Sequence, residues 1–320
     1  MYKINTELKN PEQRRVFVDT LIEVMKENDK VYALEADLGA ASLFDQIGKA
    51  VPERYCNVGI AEANMMGIAA GLSLRGNIPF AHSFTPFASR RSFDQIFLCA
   101  AYAKTTLNIY ASDPGICVAI NGGTHTSFED IAMFRAVPDA MIFDPADGVQ
   151  LNWLIKELIS LEGLHYIRSS RKSMPSIYDT GSTFEIGKAN TLREGFDILI
   201  VAMGETLAEA YKVAKNLETQ GISCTVIDMF TVKPLDRKSI INHSKGKKLI
   251  VTAENHNINN GLGSAVAEVI AEENLAVPLL RLGIIERFGQ VGPQEYLRKD
   301  YRLDYESLKE DILKKYNTIK

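Results

Sequence analysis

The sequence is poor in the residue types that build disulfide frameworks, zinc sites and membrane spans. Its four cysteines, Cys56, Cys99, Cys117 and Cys224, lie far apart and form no CxxC pair. No run reaches the ~18 consecutive apolar residues of a membrane span. The segment "MYKINTELKN" lacks the apolar core of a signal sequence. We therefore expect a reduced, cytoplasmic protein that does not enter a membrane.

The sequence also lacks an excess of positive charge. Its 36 Lys and Arg residues are outnumbered by 40 Asp and Glu residues, and the formal net charge is −4. Nucleic acids and anionic membrane surfaces attract proteins through basic stripes, so neither is expected as a partner. Any anion that this protein binds must be held by a few placed cations.

What the sequence does contain is an alternation of short apolar runs and amphipathic stretches, which predicts an α/β protein built on parallel sheets. Its 320 residues are enough for two domains. The first is expected over 1–171, with strands at 30–36, 78–84, 106–112, 115–120, 140–145 and 164–170 and helices at 11–28, 60–74, 90–103, 128–136 and 147–161.

A second, smaller α/β domain is expected over 195–320. Residues 172–194 are rich in Pro, Gly, Ser and Thr and show little periodicity, which is typical of a connection between domains. The alternation then restarts, with strands predicted at 197–203, 223–229, 248–254 and 278–284 and helices at 206–219, 235–244, 262–273 and 304–316.

The stretch "NVGIAEANMMGIAAGLSLRG" (57–76) predicts a helix with no polar face, which is normally buried on all sides. Glu62 lies near its start without a cation close in sequence. An acidic residue in a first turn is favoured by the helix dipole, which alone explains many such glutamates. A buried carboxylate, however, needs a hydrogen-bonding partner, and a nitrogen of a bound cofactor is one candidate.

The segment "YCNVGIAEANMMGIAAGLSLRGNIPFAHSFTPFASRRSFDQI" resembles the pyrimidine-binding domain of thiamine-diphosphate enzymes of the transketolase family. The resemblance continues through "NGGTH" (121–125), "FRAVPDAMIFDPAD" (134–147), "SRKSMP" (170–175) and "AENHNINNGLGSAVAEVI" (253–270). It covers nearly the whole chain in the family's order. It implies a pyrimidine-binding domain followed by a transketolase C-terminal domain.

The resemblance implies a role for residues around a thiamine-diphosphate cofactor. Glu62, within the family's G-I-x-E motif, is expected to hydrogen-bond a ring nitrogen of the aminopyrimidine and so activate the cofactor. Phe84 and Phe87 are expected to lie against that ring. The remaining cofactor-binding residues implied are Asp37, Leu38 and Ile60.

The resemblance also implies a sugar-binding side to the site. His125 corresponds to a histidine that hydrogen-bonds the sugar near its carbonyl end, and Arg171 to an arginine that binds the distal phosphate, where a sulfonate would also fit. Asn121, Arg14 and Arg91 complete the expected substrate-binding residues. The family's usual Asp-Gly-Pro-Thr-His is replaced here by Asn121-Gly122-Gly123-Thr124-His125, which favours a specialised donor, branched or carrying another anion.

The family's diphosphate-binding segment is missing. The sequence has no Gly-Asp-Gly, Walker loop or GxGxxG, so we assign no metal ligand to this chain. The resemblance therefore implies the C-terminal subunit of a split transketolase. Its expected partner is an N-terminal subunit that holds Mg²⁺ and the diphosphate, in a two-plus-two heterotetramer acting on phosphorylated sugars.

Three alternatives remain open at this point. The β subunit of a 2-oxoacid dehydrogenase has the same two domains, although it need not grip a long phosphorylated sugar. Deoxyxylulose-phosphate synthase has related chemistry but normally carries all its domains in one chain. A non-catalytic assembly partner would keep the fold without the reaction, although keeping Glu62, Phe87, His125 and Arg171 together argues against that.

Overall fold

The computed structural model describes residues 1–319. Its twelve strands are β1 (Val31–Glu35), β2 (Tyr55–Asn57), β3 (Ile78–Phe84), β4 (Leu107–Ser112), β5 (Met141–Phe143), β6 (Leu164–Ser169), β7 (Asn190–Arg193), β8 (Ile198–Ala202), β9 (Cys224–Asp228), β10 (Thr231–Lys233), β11 (Leu249–Asn257) and β12 (Leu279–Ile284) within that range.

The α-helices of this range are α1 (Gln13–Glu27), α2 (Gly39–Ser42), α3 (Asp45–Ala50), α4 (Glu62–Leu74), α5 (Thr85–Ala88), α6 (Phe93–Gln95), α7 (Asp130–Arg135), α8 (Gly148–Glu157), α9 (Gly204–Glu218), α10 (Arg237–Ser244), α11 (Leu262–Glu272), α12 (Gln294–Asp300) and α13 (Tyr305–Thr318). A π-helix, Ile96–Tyr102, continues α6. Short 3₁₀ helices are formed by Pro52–Arg54, Gly115–Asn121, Gly123–His125 and Leu158–Ser160.

The first sheet has seven strands in the order β10-β5-β6-β4-β3-β1-β2, all parallel except β10. Its inner strands are buried on both faces because helices cover both. On β1, Val31 and Ala33 pack with α1 and α8, whereas Leu34 packs on the opposite face with α4. The alternation of side chains along each strand therefore places two helical layers around one sheet.

The second sheet has five strands in the order β12-β11-β8-β9-β7, all parallel except β7. Helices α9 and α13 pack on one face, where Leu207, Val213 and Leu308 join a single core cluster. The two-domain α/β architecture predicted from the sequence is confirmed by these two sheets.

Two local expectations differ from the structure. The strand predicted at 115–120 is wrong, because these residues form a 3₁₀ helix interrupted at Ala119, where φ is 52°. The apolar run is buried by tertiary packing rather than by a sheet. The connection expected over 172–194 contains β7, which pairs antiparallel with β9 and so belongs to the second sheet.

The two sheets are tied together at their junction. Strand β10 comes from the second half of the chain but pairs with β5 of the first sheet. Arg168, fully buried on β6, reaches Asp130 and Asp144 and also donates to the Asn255 carbonyl on β11, at 3.1 Å. The C-terminal domain therefore packs directly beside the carboxyl ends of the first sheet.

Within residues 1–319, no helix combines the length and apolar character needed to cross a bilayer.

Candidate active site

The candidate site lies at the carboxyl ends of three neighbouring strands of the first sheet. The register pairs Phe84 at the end of β3 with Ser112 at the end of β4, and Ser112 with Ser169 at the end of β6. Because parallel strands end at one edge, the residues that follow them, including Asp113 and Arg171, converge there.

Glu62 is the first residue of α4 and is only 2% exposed. Its Oε1 accepts a hydrogen bond from Arg91 Nη1 at 2.7 Å. The Ser83 hydroxyl approaches the same oxygen at 3.5 Å. The partner that a buried carboxylate requires is therefore present in the chain itself, 29 residues further along.

Arg91 also covers an aromatic ring. Its guanidinium carbon lies 3.9 Å from the centroid of the Phe87 ring, while its side chain is 46% exposed. A planar group that carries N–H donors thus fits between the Glu62 carboxylate and the Phe87 face. An aminopyrimidine ring is planar and offers N–H donors too, so these residues fit that part of thiamine diphosphate once Arg91 withdraws.

His125 lies next to both phenylalanines. Its ring centroid is 5.2 Å from that of Phe87 and 5.8 Å from that of Phe84, both edge-on. Burial, reinforced by the charges of Arg91 and Arg171, lowers the pKa of His125 below its ordinary value. The imidazole is therefore neutral at pH 7 and can donate through one nitrogen and accept through the other.

Arg171 closes the other end of the cluster. Its guanidinium carbon lies 4.6 Å from the centroid of Phe84, and its Nε is paired with Asp113. Burial raises the pKa of Asp113, against the opposing attraction of Arg171. Within residues 1–319 no hydrogen bond engages the Nη1 and Nη2 groups of Arg171, so its fork is available to an anion.

These contacts form one continuous row of side chains at the end of the sheet. The row runs from Glu62 through Arg91, Phe87, His125, Phe84 and Arg171 to Asp113. Six of its members were named from the sequence, and the row brings them together. Asp113 was missed, because its only sequence signal is its place after an apolar strand.

Other residues named from the sequence lie at the margin of the row. The Arg14 backbone N–H donates to the Arg171 carbonyl at 3.3 Å, but its guanidinium is engaged by Glu12 and the Ala41 carbonyl. Asn121 is half-buried at the end of the 3₁₀ helix Gly115–Asn121. Arg14 would have to exchange partners to bind a substrate anion.

Asp37, Leu38 and Ile60 lie on two loops that Asn57 joins. The Asn57 side-chain oxygen accepts from the Asp37 N–H at 3.2 Å and from the Gly59 N–H at 2.9 Å. Ile60 is 75% exposed. Within residues 1–319 no hydrogen bond links Asp37 or Leu38 to Glu62, so their cofactor contact stays a prediction.

Helix α4 is not buried on all sides, contrary to the expectation from its composition. Met65 and Met66 are fully buried, but Leu74 is 75% exposed. Side chains added at Gly67 or Gly71 would meet no atom within 4 Å. The helix therefore presents an apolar face of small residues that another helix can approach closely.

Both halves of the chain match known protein families. Residues 9–176 match the family described as "Transketolase, pyrimidine binding domain", and residues 187–308 match "Transketolase, C-terminal domain". A relative from Clostridium sp. (strain MSTE9), named "6-deoxy-6-sulfo-D-fructose transketolase subunit SqwH", is 43% identical over 91% of this chain and 90% of its own length.

Two further proteins match over nearly their full length. The "Putative transketolase C-terminal section" of Methanocaldococcus jannaschii is 40% identical, over 94% of this chain and 95% of its own. A solved structure titled "Split gene transketolase, inactive beta4 tetramer" is 36% identical, with a TM-score of 0.88 over 97% of this chain and 100% of that one. The first of these is named as a C-terminal section, and the second as a split-gene transketolase.

Proposed function

This chain belongs to the transketolase family, and from that premise we propose that it is the C-terminal subunit of a split, thiamine-diphosphate-dependent transketolase. The reaction is the transfer of a two-carbon ketol unit from an anionic ketose to an aldose. The observation that carries the proposal is the row from Glu62 to Arg171. From one end to the other, it offers a buried carboxylate, an aromatic wall, a neutral imidazole and a free guanidinium fork.

Four residues of the row have a task in this reaction. When bound, the cofactor supplies a nucleophilic carbon and stores the electron pair released by C–C cleavage. Glu62 holds a proton-bearing ring nitrogen and fixes the ring against Phe87. His125 orients the sugar near its carbonyl, and Arg171 binds the distal anion.

The distal anion of the donor is proposed to be a phosphate or a sulfonate. Both are tetrahedral oxyanions that a guanidinium fork binds through two N–H groups. A relative at 43% identity is named for a sulfonated fructose, which supports the wider class without selecting one member of it. A panel that contains both kinds of ketose is therefore the appropriate substrate set.

The site is proposed to be completed by an N-terminal subunit. Mg²⁺ and the diphosphate are assigned to that partner because the Gly-Asp-Gly segment is missing from this sequence. The exposed face of α4, with Gly67, Gly71 and Leu74, and Tyr102 on the adjoining π-helix are suited to its docking. Two copies of each subunit are proposed for the active assembly.

The proposal predicts activity from the pair and none from the chain alone. Ketol transfer from xylulose 5-phosphate, fructose 6-phosphate and 6-deoxy-6-sulfofructose is measured with an aldose acceptor, thiamine diphosphate and Mg²⁺ present. We expect aldose release only when the N-terminal partner is added, because half a cofactor site cannot hold the diphosphate. A pair that binds cofactor but releases no aldose from any donor would contradict a transketolase, and pyruvate decarboxylation would then be tested.

A second prediction concerns Arg171. Arg171→Ala is expected to raise KM for ketoses with a distal anion by about 10- to 100-fold, because hydrogen bonds to charged groups contribute ~1.5–3 kcal/mol. KM for xylulose, which lacks that anion, should change little.

Two further variants separate anion binding from the pairing of Asp113. Arg171→Lys keeps a positive charge beside Asp113 but loses the fork, so an intermediate KM is expected. Arg15→Ala removes a nearby guanidinium that contacts Gln46 at the surface and should leave KM unchanged. Equal effects of Arg171→Ala on phosphorylated and unphosphorylated ketoses would show that Arg171 does not bind the distal anion.

A further inference from the structure

The loop that carries His125 is covered by a loop from the other domain. We define the substrate loop as residues 121–126 and the covering loop as residues 285–291, which follow β12. They are more than 150 residues apart in sequence, and nothing in the residue pattern predicts that they touch. In the structure their backbones are in direct contact.

The contact leaves no room for side chains at two glycines of the substrate loop. A Cβ atom on Gly123 would lie 2.6 Å from the Gly289 carbonyl oxygen. One on Gly122, where φ is 75°, would lie 2.5 Å from Val291 Cγ2. A Cβ on Gly289 would in turn overlap the buried side chain of Thr126. The Gly289 oxygen belongs to the backbone and the Thr126 side chain is buried, so neither can move aside without disturbing the packing around it.

The covering loop is itself held in place. The Tyr301 hydroxyl donates to the Phe288 carbonyl at 2.6 Å. Arg287 donates to the Asp300 carbonyl at 2.7 Å and pairs with its carboxylate, while its guanidinium lies over the Tyr301 ring. The loop is therefore anchored to α12 and the residue after it, rather than free to adapt to its neighbour.

The residues on either side of the substrate loop are hydrogen-bonded to the same domain as the covering loop. The Ile116 N–H donates to the Asn255 side-chain oxygen at 3.0 Å, and the Asn257 N–H donates to the Phe128 carbonyl at 2.9 Å. Strand β11 thus holds both flanks while the covering loop presses on the centre. The C-terminal domain determines the shape of a loop that the first domain contributes to the site.

We propose that Gly289 and Val291 are positioning residues that fix the substrate loop and thereby determine which ketose donors the site accepts. The inference rests on the function proposed above. The backbone N–H of His125 donates to the Gly122 carbonyl at 3.0 Å, so a shift of Gly122 moves the His125 backbone, the imidazole that it carries and the neighbouring Asn121. Donor choice is then shared between the two domains.

The close approach of Gly289 to Gly123 also explains why position 123 is a glycine in this chain. A proline at 123 would place its Cβ against the same Gly289 oxygen. The Asp-Gly-Pro-Thr-His form of the loop therefore cannot adopt this shape beneath the covering loop. Gly123 and Gly289 act as a complementary pair, one in each domain.

Gly289→Ala in the assembled pair provides the direct test. A displacement of about 1 Å at a substrate-positioning group can cost ~10²-fold in rate, so kcat/KM should fall by up to that factor. The ratio of kcat/KM values between xylulose 5-phosphate and a six-carbon donor should also change, by about tenfold. Gln290→Ala, an exposed side chain between the two positioning residues, should change neither quantity.

Val291→Ala covers the case in which Gly289→Ala fails to fold. It removes the contact with Gly122 without adding an atom. We expect the ratio of kcat/KM values between the two donors to change less than in Gly289→Ala. A uniform fall for all donors with an unchanged ratio would overturn the proposal, because a purely structural role predicts that pattern. Unchanged kinetics in both variants would overturn it as well.

A measurement on the isolated chain separates this inference from the proposed function. Gly289→Ala should shift the NMR signal of the His125 ring protons and move its pKa upward, because the ring loses part of its packing against Phe87. His125→Gln assigns the signal among the five histidines. An unmoved His125 signal would show that Gly289 does not position the substrate loop and would overturn the inference. A wild-type pair without transfer would instead overturn the proposed function, while the positioning of the loop by Gly289 would still stand.

Discussion

Replacing Glu62 with glutamine is expected to lower ketol transfer by about 10³-fold in the assembled pair, within the ~10²–10⁴-fold range of a positioned proton-transfer group. The amide has nearly the same shape as the carboxylate but cannot stabilise a proton on a ring nitrogen. The measurement is kcat under saturating thiamine diphosphate, so that weaker cofactor binding does not hide the loss. A decrease in kcat below threefold would contradict the role of Glu62.

A matched substitution tests the simpler explanation by the helix dipole. Glu306 lies in the first turn of α13, as Glu62 does in α4, but it is exposed. Glu306→Gln removes the same charge from the same kind of position. If the helix dipole were the whole reason for Glu62, both variants would lose only about 0.3–1 kcal/mol of stability and neither would lose activity.

Arg168→Met is expected to produce the largest loss of stability, about 3–5 kcal/mol in the free energy of unfolding, as is typical when one partner of a buried ion pair is removed. Arg168 is fully buried and lies 2.6 Å from Asp130 Oδ2 and 2.5 Å from Asp144 Oδ2. Without it, two carboxylates remain in the junction between the domains. Urea denaturation of the isolated chain measures the change.

The pH dependence of that loss distinguishes an electrostatic cause from a cavity. Burial, opposed by Arg168, already raises the pKa of Asp144 to about 6. Removing the guanidinium raises it further, so the folded variant retains a proton that the unfolded chain has released, and its stability falls as pH rises. The deficit relative to wild type should be larger at pH 8 than at pH 5. A deficit independent of pH would indicate lost packing instead.

Adding Asp130→Asn and Asp144→Asn to Arg168→Met provides the matched control. The triple variant has no net charge in the cluster and should recover much of the lost stability, since buried ion pairs are often replaceable as a unit. Failure to recover any stability would show that the guanidinium contributes mainly through its contact with the Asn255 carbonyl on β11.

The sequence was informative where its signal is local. The G-I-x-E motif located Glu62 at the start of a helix, and α4 does begin there. "HSFTPF" placed Phe84 at a strand end, which is where β3 ends. Hydrophobic periodicity and strand-end turns are encoded within a few residues of each other, so these features require no knowledge of distant contacts.

The local residue pattern was misleading where side chains are buried by packing between the domains and not within a sheet. Residues 115–120 are as apolar as a strand, but Gly115 and Ala119 adopt positive φ and the run packs against the C-terminal domain. The residue pattern alone cannot distinguish a buried strand from a buried 3₁₀ helix, because both structures bury the same apolar side chains. The partner of Glu62 was overlooked for a related reason. Arg91 was named for the substrate, and only the folded chain places it on that carboxylate.

By itself, the sequence determined the α/β class, the two-domain order and the family, because apolar periodicity and contiguous motifs survive without coordinates. Only the tertiary structure decided which groups meet. The row from Glu62 to Asp113, the junction around Arg168 and the covering of Gly123 by Gly289 all join residues from separate elements. Such contacts depend on strand order and domain packing, which a linear chain does not display. The physical reason is that parallel strands bring their carboxyl ends together whatever their separation in sequence.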